Sequence, residues 1–149
     1  MSDVALILIK PDGMHKAIAG EILSHFFCAD LKLRGVKLVQ VSRPLAEAHY
    51  SHLKKEFFFK QIISYLMGDF HGGAPVIALV LAGKDAIKKC RHLAGATNPE
   101  QAHPRSIRGK FGRITTQGLY ENLVHVSSDE HEATREIKLW FKAGELIKG

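Results

Sequence analysis

Cysteine and long apolar runs are scarce in this sequence, and each scarcity excludes a class of protein. The two cysteines, Cys28 and Cys90, form no Cys-x-x-Cys pair and no spaced framework, which excludes a disulfide scaffold. We therefore expect a reduced, cytoplasmic protein. The apolar run at 4–9 follows no basic leader and is much shorter than a signal segment or a membrane span, so we expect no membrane association.

A Walker-type phosphate loop is also absent, so any bound nucleotide would have to be held by scattered side chains. The 149 residues, 46% of them hydrophobic, are enough for one core, which predicts a single domain over residues 1–149. The net charge of +6 indicates anionic partners, either phosphate-bearing small molecules or nucleic acid. Charge alone does not choose between them.

The hydrophobic periodicity alternates between strand-like and helix-like segments in the order β-α-β-αα-β-α-β-α. This order predicts an α+β fold of the ferredoxin-like, split βαβ sandwich type, in which helices cover a four-stranded antiparallel sheet. The predicted strands are 4–9, 36–45, 76–82 and 122–127; the predicted helices are 18–29, 46–55, 60–67, 85–93 and 129–141; a turn at 10–13, a glycine-rich segment at 68–75 and a polar connection at 95–111 separate them.

The segment NLVHVSS at 122–128 resembles a short buried strand, yet it carries a histidine between two valines. Ser127 lies on the same strand face as His125, because side chains alternate along a strand. Glu136 follows in the next helix. A carboxylate that bonds one ring nitrogen fixes the tautomer and leaves the other nitrogen free to attack, so His125 is a candidate nucleophile. The alternative is a core histidine without a catalytic role.

Polar residues suited to phosphate fall at predicted strand ends and in loops. Arginine and lysine hold the negative charge of a phosphoryl group while its bonds change. Each of them, taken singly, could instead be a solvated surface residue. The candidates are Lys10, Arg91, Thr97, Arg108 and Asn122.

Seven short motifs are spread along the chain: ILIKPDG at 7–13, HY at 49–50, FF at 58–59, GATNP at 95–99, SIRGKF at 106–111, NLVHVS at 122–127 and REIKLWF at 135–141. In this order they resemble the motifs of nucleoside diphosphate kinases, and the resemblance covers about residues 5–146. It implies a phosphotransferase with a ping-pong mechanism.

The resemblance also implies a role for each residue at the reacting centre. His125 matches the histidine that is phosphorylated by a nucleoside triphosphate and then passes the phosphoryl group to a nucleoside diphosphate. Glu136 and Ser127 match the pair that orients its ring. Lys10 matches the lysine that reaches the terminal phosphate and a sugar hydroxyl, and Tyr50 matches a tyrosine close to the histidine.

The nucleotide-binding residues implied by the resemblance contact the phosphates, the ribose or the base. Phe58 matches the aromatic residue that stacks on the base, and Leu119 the apolar residue on its other side. Because every base offers a π-face, broad nucleotide specificity is expected. The set is Lys10, Arg91, Thr97 and Arg108 at the phosphates, Asn122 at the ribose 3′-hydroxyl, and Phe58, Ile62 and Leu119 at the base.

The resemblance implies Mg²⁺ as the cofactor, held mainly by the nucleotide phosphates rather than by protein ligands. It also implies a homo-oligomer, either a hexamer or a tetramer. The alternative is a non-catalytic or weakly catalytic nucleic-acid-binding member of the same fold, with nucleic acid otherwise a secondary partner. Such a binder has no need of His125, Glu136, Arg91 and Arg108 together, and all four are present.

The sequence departs from the family pattern at several points. Val126 and Ser128 stand where the family has glycine and aspartate after the histidine, and Asp129 is a candidate substitute for the missing carboxylate. Phe57 replaces the proline before the double phenylalanine. Two insertions lie at 68–73 and within 113–121, and the second touches the segment expected to hold the base.

Four residues have a simpler interpretation without a catalytic role. His49 and His52 are spaced i,i+3 and could share a metal, but no further ligand accompanies them, so a surface pair is favoured. Asp12 is expected to hold the turn at 10–13. For Glu136, a solvated position beside Arg135 on the last helix is the alternative to the orienting role.

Overall fold

A computed structural model describes residues 3–148, and its central sheet contains four antiparallel strands: β1 Asp3–Ile9, β2 Lys32–Val39, β3 Val76–Gly83 and β6 Val124–Val126. Their order across the sheet is β2-β3-β1-β6. A separate two-stranded ribbon pairs β4 Arg113–Ile114 with β5 Tyr120–Glu121. The predicted α+β fold with a four-stranded antiparallel sheet is confirmed.

Helices cover both faces of the sheet. They are α1 Pro11–His15, α2 Ala19–Phe27, α3 Arg43–His49, α4 Phe59–Met67, α5 Ala86–Ala94, α6 Ile107–Phe111 and α7 Glu130–Trp140, with 3-10 turns at Ser51–Leu53, Pro99–Gln101 and Ala143–Glu145. Among the described residues, no helix is long and apolar enough to cross a membrane.

Strand β1 lies between β3 and β6, and both of its faces are buried. Ile7 and Ile9 belong to the core beneath α2 and α5, whereas Leu6 and Leu8 belong to the core beneath α3, α4 and α7. Because successive side chains point to opposite faces, a strand that is covered on both sides reads as a continuous apolar run. This explains why 4–9 shows no alternation in the sequence.

The second predicted strand, 36–45, was placed too late in the chain. The observed strand is Lys32–Val39, and helix α3 already begins at Arg43. Ser42 caps this helix by accepting a hydrogen bond of 3.3 Å from the Leu45 N–H, and Pro44 lies in its first turn. A serine cap followed by proline starts a helix, so residues 43–45 could not continue a strand.

Two other boundaries also differ from the prediction, both beside the site described next. The predicted turn at 10–13 is the start of helix α1, with Pro11 at its first position. The last strand is confined to Val124–Val126, because Leu123 has a left-handed backbone with φ of 70°. A tight bend therefore precedes His125.

Candidate active site

His125 lies at the centre of strand β6, opposite Leu8 of β1. Its neighbours Val124 and Val126 are buried in the core on one face of the sheet. His125 projects from the other face, and 19% of its side chain is exposed to a cavity. The valines thus anchor a strand that presents the histidine to solvent.

Helix α7 brings Glu136 behind the His125 ring, with Glu136 Oε2 2.6 Å from His125 Nε2. Glu136 is only 2% exposed, so the solvated alternative for this residue is wrong. The Ser127 hydroxyl accepts a 3.1 Å hydrogen bond from the Leu6 N–H and donates to the Leu6 carbonyl at 3.4 Å. Burial raises the pKa of Glu136, and the nearby Ser127 hydroxyl opposes that rise.

The His125 ring is neutral at neutral pH. Burial lowers its pKa to about 3, and the charges of Lys10, Arg108 and Arg91 act in the same direction. His125 Nε2 and Glu136 Oε2 are close, but within residues 3–148 Nε2 is not aligned for a hydrogen bond. An ionised carboxylate can only accept a proton, so we infer that the nitrogen on the Glu136 side, Nε2, carries the ring proton. The lone pair of the neutral ring is then on Nδ1, and we infer that this nitrogen is the one available to the cavity that His125 lines.

A cavity of about 490 Å³ opens in front of His125, and cationic side chains line it. Lys10 follows the end of β1, Arg91 lies on α5, Arg108 lies on α6, and Thr97 lies in the loop after α5. Residues that are far apart in the sequence therefore converge on the histidine, as the phosphate-site hypothesis requires.

The Arg108 guanidinium is held by three backbone carbonyl groups. It donates to Gly95 O at 2.8 Å, Val124 O at 2.7 Å and Asn122 O at 3.2 Å. Burial lowers the pKa of Arg108 to about 10, and the charge of Arg91 adds to that effect. The side chain is still charged at neutral pH and is fixed in orientation before any ligand binds.

Lys10 and Asn122 are bound to each other at the base of the cavity. Lys10 Nζ donates to Asn122 Oδ1, and Asn122 Nδ2 donates to Thr97 O at 2.9 Å. Burial lowers the pKa of Lys10 to about 7, although the Asp12 charge opposes the change. The ammonium group also lies 4.6 Å from the centre of the Tyr65 ring. A bound anion would compensate for the cost of burying this charge.

Tyr50 lines the same cavity and is 6% exposed. Its ring packs edge-to-face against His49, with 4.6 Å between the ring centres. Burial raises the Tyr50 pKa well above its usual range, and the charge of Glu136 adds to the rise. The phenol therefore keeps its proton and can serve as a hydrogen-bond donor.

A second cavity of about 440 Å³ adjoins the first and contains the residues predicted to hold the base. Phe58, Ile62 and Leu119 line it, and it shares Lys10 and Asn122 with the first cavity. The two cavities together form a channel with an apolar end and a cationic end. A nucleotide has the same division between its base and its phosphates.

The two insertions contact each other at the apolar end. His71 Nε2, from the first insertion, lies 2.7 Å from Glu121 Oε1 at the end of the second. Lys16 Nζ donates to the same carboxylate at 2.9 Å, and Arg113 also binds it. Although burial opposes the change, these hydrogen bonds lower the pKa of Glu121 to about 2. These contacts to Glu121 fix the β4–β5 ribbon, whose connecting loop contains Leu119.

His49 was wrongly assigned to a surface pair with His52. His49 is completely buried, its ring centre lies 4.4 Å from that of His125, and its Nδ1 accepts a 3.1 Å hydrogen bond from Trp140 Nε1. His52 is exposed, as expected. The useful signal was helical spacing, since His49 lies three residues after Ala46 on the buried face of α3.

The sequence matches the family model described as "Nucleoside diphosphate kinase" over residues 3–146. The chain is 42% identical over 146 residues to nucleoside diphosphate kinase 2, chloroplastic, of Pisum sativum, covering 98% of this chain but 60% of the pea protein. It is 39% identical over 143 residues to the nucleoside diphosphate kinase of Pyrococcus horikoshii, covering 96% of this chain and 87% of the relative.

Solved structures give the same result. A nucleoside diphosphate kinase of Halobacterium salinarum in complex with CDP superposes with a TM-score of 0.89 and 32% identity, covering 100% of this chain and 93% of the other. The enzyme from Borrelia burgdorferi, described as a transition-state mimic with bound vanadate and ADP, gives a TM-score of 0.87 and 30% identity, covering 99% and 92%. The chain therefore belongs to the nucleoside diphosphate kinase family.

Proposed function

We propose that this protein transfers the γ-phosphoryl group of a nucleoside triphosphate to a nucleoside diphosphate through phosphorylated His125. The observation that supports this most is the state of the His125 ring. Nε2 lies 2.6 Å from a buried carboxylate, and the His125 side chain lines a cavity that Lys10, Arg91 and Arg108 also line. A neutral, oriented imidazole beside fixed positive charges suits attack on a phosphoryl group.

In the first half-reaction, the Nδ1 lone pair of His125 forms a bond to the γ-phosphorus. The bond between that phosphorus and the bridging oxygen breaks, and its electron pair leaves with the nucleoside diphosphate. Arg91 and Arg108 hold the charge on the phosphoryl oxygens, and Lys10 reaches the terminal phosphate. Glu136 compensates the positive charge that the phosphorylated ring acquires, and Ser127 helps to fix the carboxylate.

In the second half-reaction, a terminal oxygen of another nucleoside diphosphate attacks the same phosphorus. The nitrogen–phosphorus bond breaks, and its electron pair returns to Nδ1, which restores the neutral histidine. The Tyr50 hydroxyl lies in the same cavity as a donor for phosphate oxygens. Neither half-reaction needs a net proton from the solvent.

The nucleotide occupies the channel with its base at the apolar end. Phe58 stacks on the base, with Leu119 and Ile62 beside it, and Asn122 binds the ribose 3′-hydroxyl. Thr97 joins the arginines at the phosphates. Stacking requires only a π-face, so several bases are accepted.

The nucleotide phosphates, rather than protein side chains, are the main ligands that we propose for Mg²⁺. Two carboxylates line the phosphate cavity, but Glu132 is bound by Arg135 at 2.8 Å and Glu136 faces His125. This donor set fits an ion that arrives with the nucleotide and is held mainly by phosphate oxygens and water. When bound, the ion neutralises charge on the β- and γ-phosphates.

A homo-oligomer, either a hexamer or a tetramer, is also part of the proposal. Strand β2 is an edge strand with three exposed apolar side chains, and an exposed apolar edge is a surface on which another chain can pack. They are Leu33, Val36 and Leu38, which are 40%, 54% and 65% exposed. The cytoplasmic location is proposed because both Cys28 and Cys90 are free thiols.

Steady-state kinetics test the proposed reaction. The rate of transfer from ATP to a second nucleoside diphosphate is measured against ATP concentration at several fixed acceptor concentrations. We expect parallel lines in the double-reciprocal plot, because the first product leaves before the acceptor reacts. Intersecting lines would exclude the phosphoenzyme route, and the absence of transfer would favour the nucleic-acid-binding alternative.

A further inference from the structure

Two buried residues that are not part of the proposed reaction lie behind the His125 ring. His49 is fully buried at the end of α3, and Trp140 is 2% exposed at the end of α7. The His49 ring lies edge-to-face against that of His125 at 81°, and His49 Nε2 is 3.8 Å from Glu136 Oε2. Within residues 3–148, three buried polar atoms of this group have no hydrogen-bond partner: His49 Nε2, His125 Nε2 and Glu136 Oε1.

Trp140 determines which nitrogen of His49 carries the proton. An indole N–H can only donate, so His49 Nδ1, 3.1 Å away, must be the acceptor. Burial lowers the pKa of His49 well below its usual range, and the neighbouring His125 acts in the same direction. A neutral imidazole has one N–H, which in His49 must therefore lie on Nε2. That N–H is on the side of Glu136.

We propose that His49 is a positioning residue for His125, whose Nε2–H, set by Trp140, holds the Glu136 carboxylate against the nucleophile. This inference rests on the proposed function and extends it by two residues. The 3.8 Å between His49 Nε2 and Glu136 Oε2 is longer than a hydrogen bond, so in the resting protein the N–H attracts the carboxylate without bonding it. We expect the N–H to become a hydrogen-bond donor to Glu136 when the carboxylate adjusts to the phosphorylated His125 ring. The edge-to-face contact of the two rings limits rotation of His125.

The same three residues could in principle hold a divalent metal. Nitrogen or oxygen atoms of His49, His125 and Glu136 lie within 4.8 Å of one another, a donor set that zinc accepts. However, His49 Nε2 has no lone pair while Nδ1 accepts from Trp140. A metal would require that hydrogen bond to break, so the geometry favours the positioning role.

The tautomer is read on the resting protein without nucleotide, using nitrogen-15 chemical shifts and ring couplings of the histidines. We expect His49 to be protonated at Nε2 in the wild type and to lose this preference in Trp140→Phe. Protonation at Nδ1 in the wild type would overturn the inference. A Zn²⁺ titration under the same conditions should show no stoichiometric binding, and stoichiometric binding that His49→Phe abolishes would establish the metal site instead.

The positioning role is read from the rate of histidine phosphorylation under excess ATP. We expect Trp140→Phe to slow this step about 10-fold and His49→Phe at least as much, with nucleotide affinity unchanged. His49→Gln, which restores an N–H donor, should recover part of the loss. Phe141→Leu is the packing control, because Phe141 follows Trp140 in the chain and is buried in the same core.

Two results would contradict the role. Wild-type rates in both His49→Phe and Trp140→Phe would show that the contact has no effect on the nucleophile. Equal slowing in Phe141→Leu, at an equal loss of stability, would show that only packing matters. A wild-type protein that accepts no phosphoryl group would refute the proposed function. The tautomer measurement would still decide whether Trp140 sets the proton of His49 on Nε2.

Discussion

The backbone N–H of Leu123 donates a 3.0 Å hydrogen bond to Asp12 Oδ2, which ties together the two bends that carry Lys10 and His125. Asp12 is completely buried, and the Leu123 carbonyl in turn accepts a 2.8 Å hydrogen bond from the Lys10 N–H. These two bonds hold Leu123 at a φ of 70°, which is uncommon for a residue other than glycine. The expected structural role of Asp12 agrees with these contacts.

Removal of the Asp12 carboxylate should destabilise the whole site. We expect Asp12→Ala to lower the free energy of unfolding by about 1–3 kcal/mol, because a buried backbone N–H loses its acceptor. Urea unfolding measures this quantity. Asp69→Ala, at an exposed position, is the control and should change little. Equal stabilities for the two variants would mean that the Leu123 bend does not depend on Asp12.

The two arginines of the cavity should each contribute strongly to transfer. We expect Arg91→Ala and Arg108→Ala to reduce kcat/KM by about 10²-fold or more, the scale of deleting one preorganised electrostatic partner. Lys88→Ala, at an exposed position on the same helix as Arg91, is the matched control for loss of charge. If either arginine variant behaves like the control, that arginine is only a surface charge.

Glu136 should affect the nucleophile without being essential to the chemistry. Glu136→Gln keeps the shape of the side chain but removes the charge that orients His125 and compensates the phosphorylated ring. We expect histidine phosphorylation at pH 7 to 8 to slow by about 10- to 10²-fold. Rapid-quench kinetics measure this rate, and thermal unfolding is recorded in parallel. An unchanged rate in a stably folded variant would leave the orientation of His125 to Ser127 and the backbone.

The burial of Lys10 predicts a pH dependence of nucleotide capture. Burial lowers the pKa of Lys10 to about 7. In the free enzyme the side chain is therefore charged below pH 7, and it loses its proton and its positive charge as the pH rises above 7. Since kcat/KM reports the free enzyme, it should fall above pH 7, approaching about tenfold per pH unit. Lys10→Arg keeps its charge at all these pH values and should lack this decline. The same decline in both proteins would assign it to the nucleotide or to another group.

Much of the fold followed from hydrophobic patterning, and the failures have local causes. The run at 4–9 and the spacing of apolar residues in α2 and α7 predict their elements directly, because burial determines both pattern and structure. The start of α3 depended instead on the Ser42 cap and on Pro44, which outweighed the apolar residues around them. Short elements of this kind carry too few residues to show a period.

Some residues of the candidate site could likewise be predicted from the sequence, and others could not. The residues around the phosphates could be predicted because their types match the chemistry and their motifs resemble a known family. His71 and Glu121 could not, because their importance lies in contacts between segments far apart in the sequence, such as the 2.7 Å contact that joins the two insertions. For His49, helical spacing indicated burial but not its contact with His125. No spacing rule along the chain reports a pairing of that kind.

The central claim is that His125 carries the phosphoryl group between two nucleotides. The most direct measurement is to incubate the protein with γ-labelled ATP, isolate it, and follow the label in the wild type, in His125→Ala and in His131→Ala, which removes an exposed histidine. The account predicts acid-labile, base-stable label in the wild type and in His131→Ala, discharged completely by a nucleoside diphosphate, and none in His125→Ala. Label that persists in a folded His125→Ala protein, or turnover of that variant within about tenfold of the wild type, would contradict it.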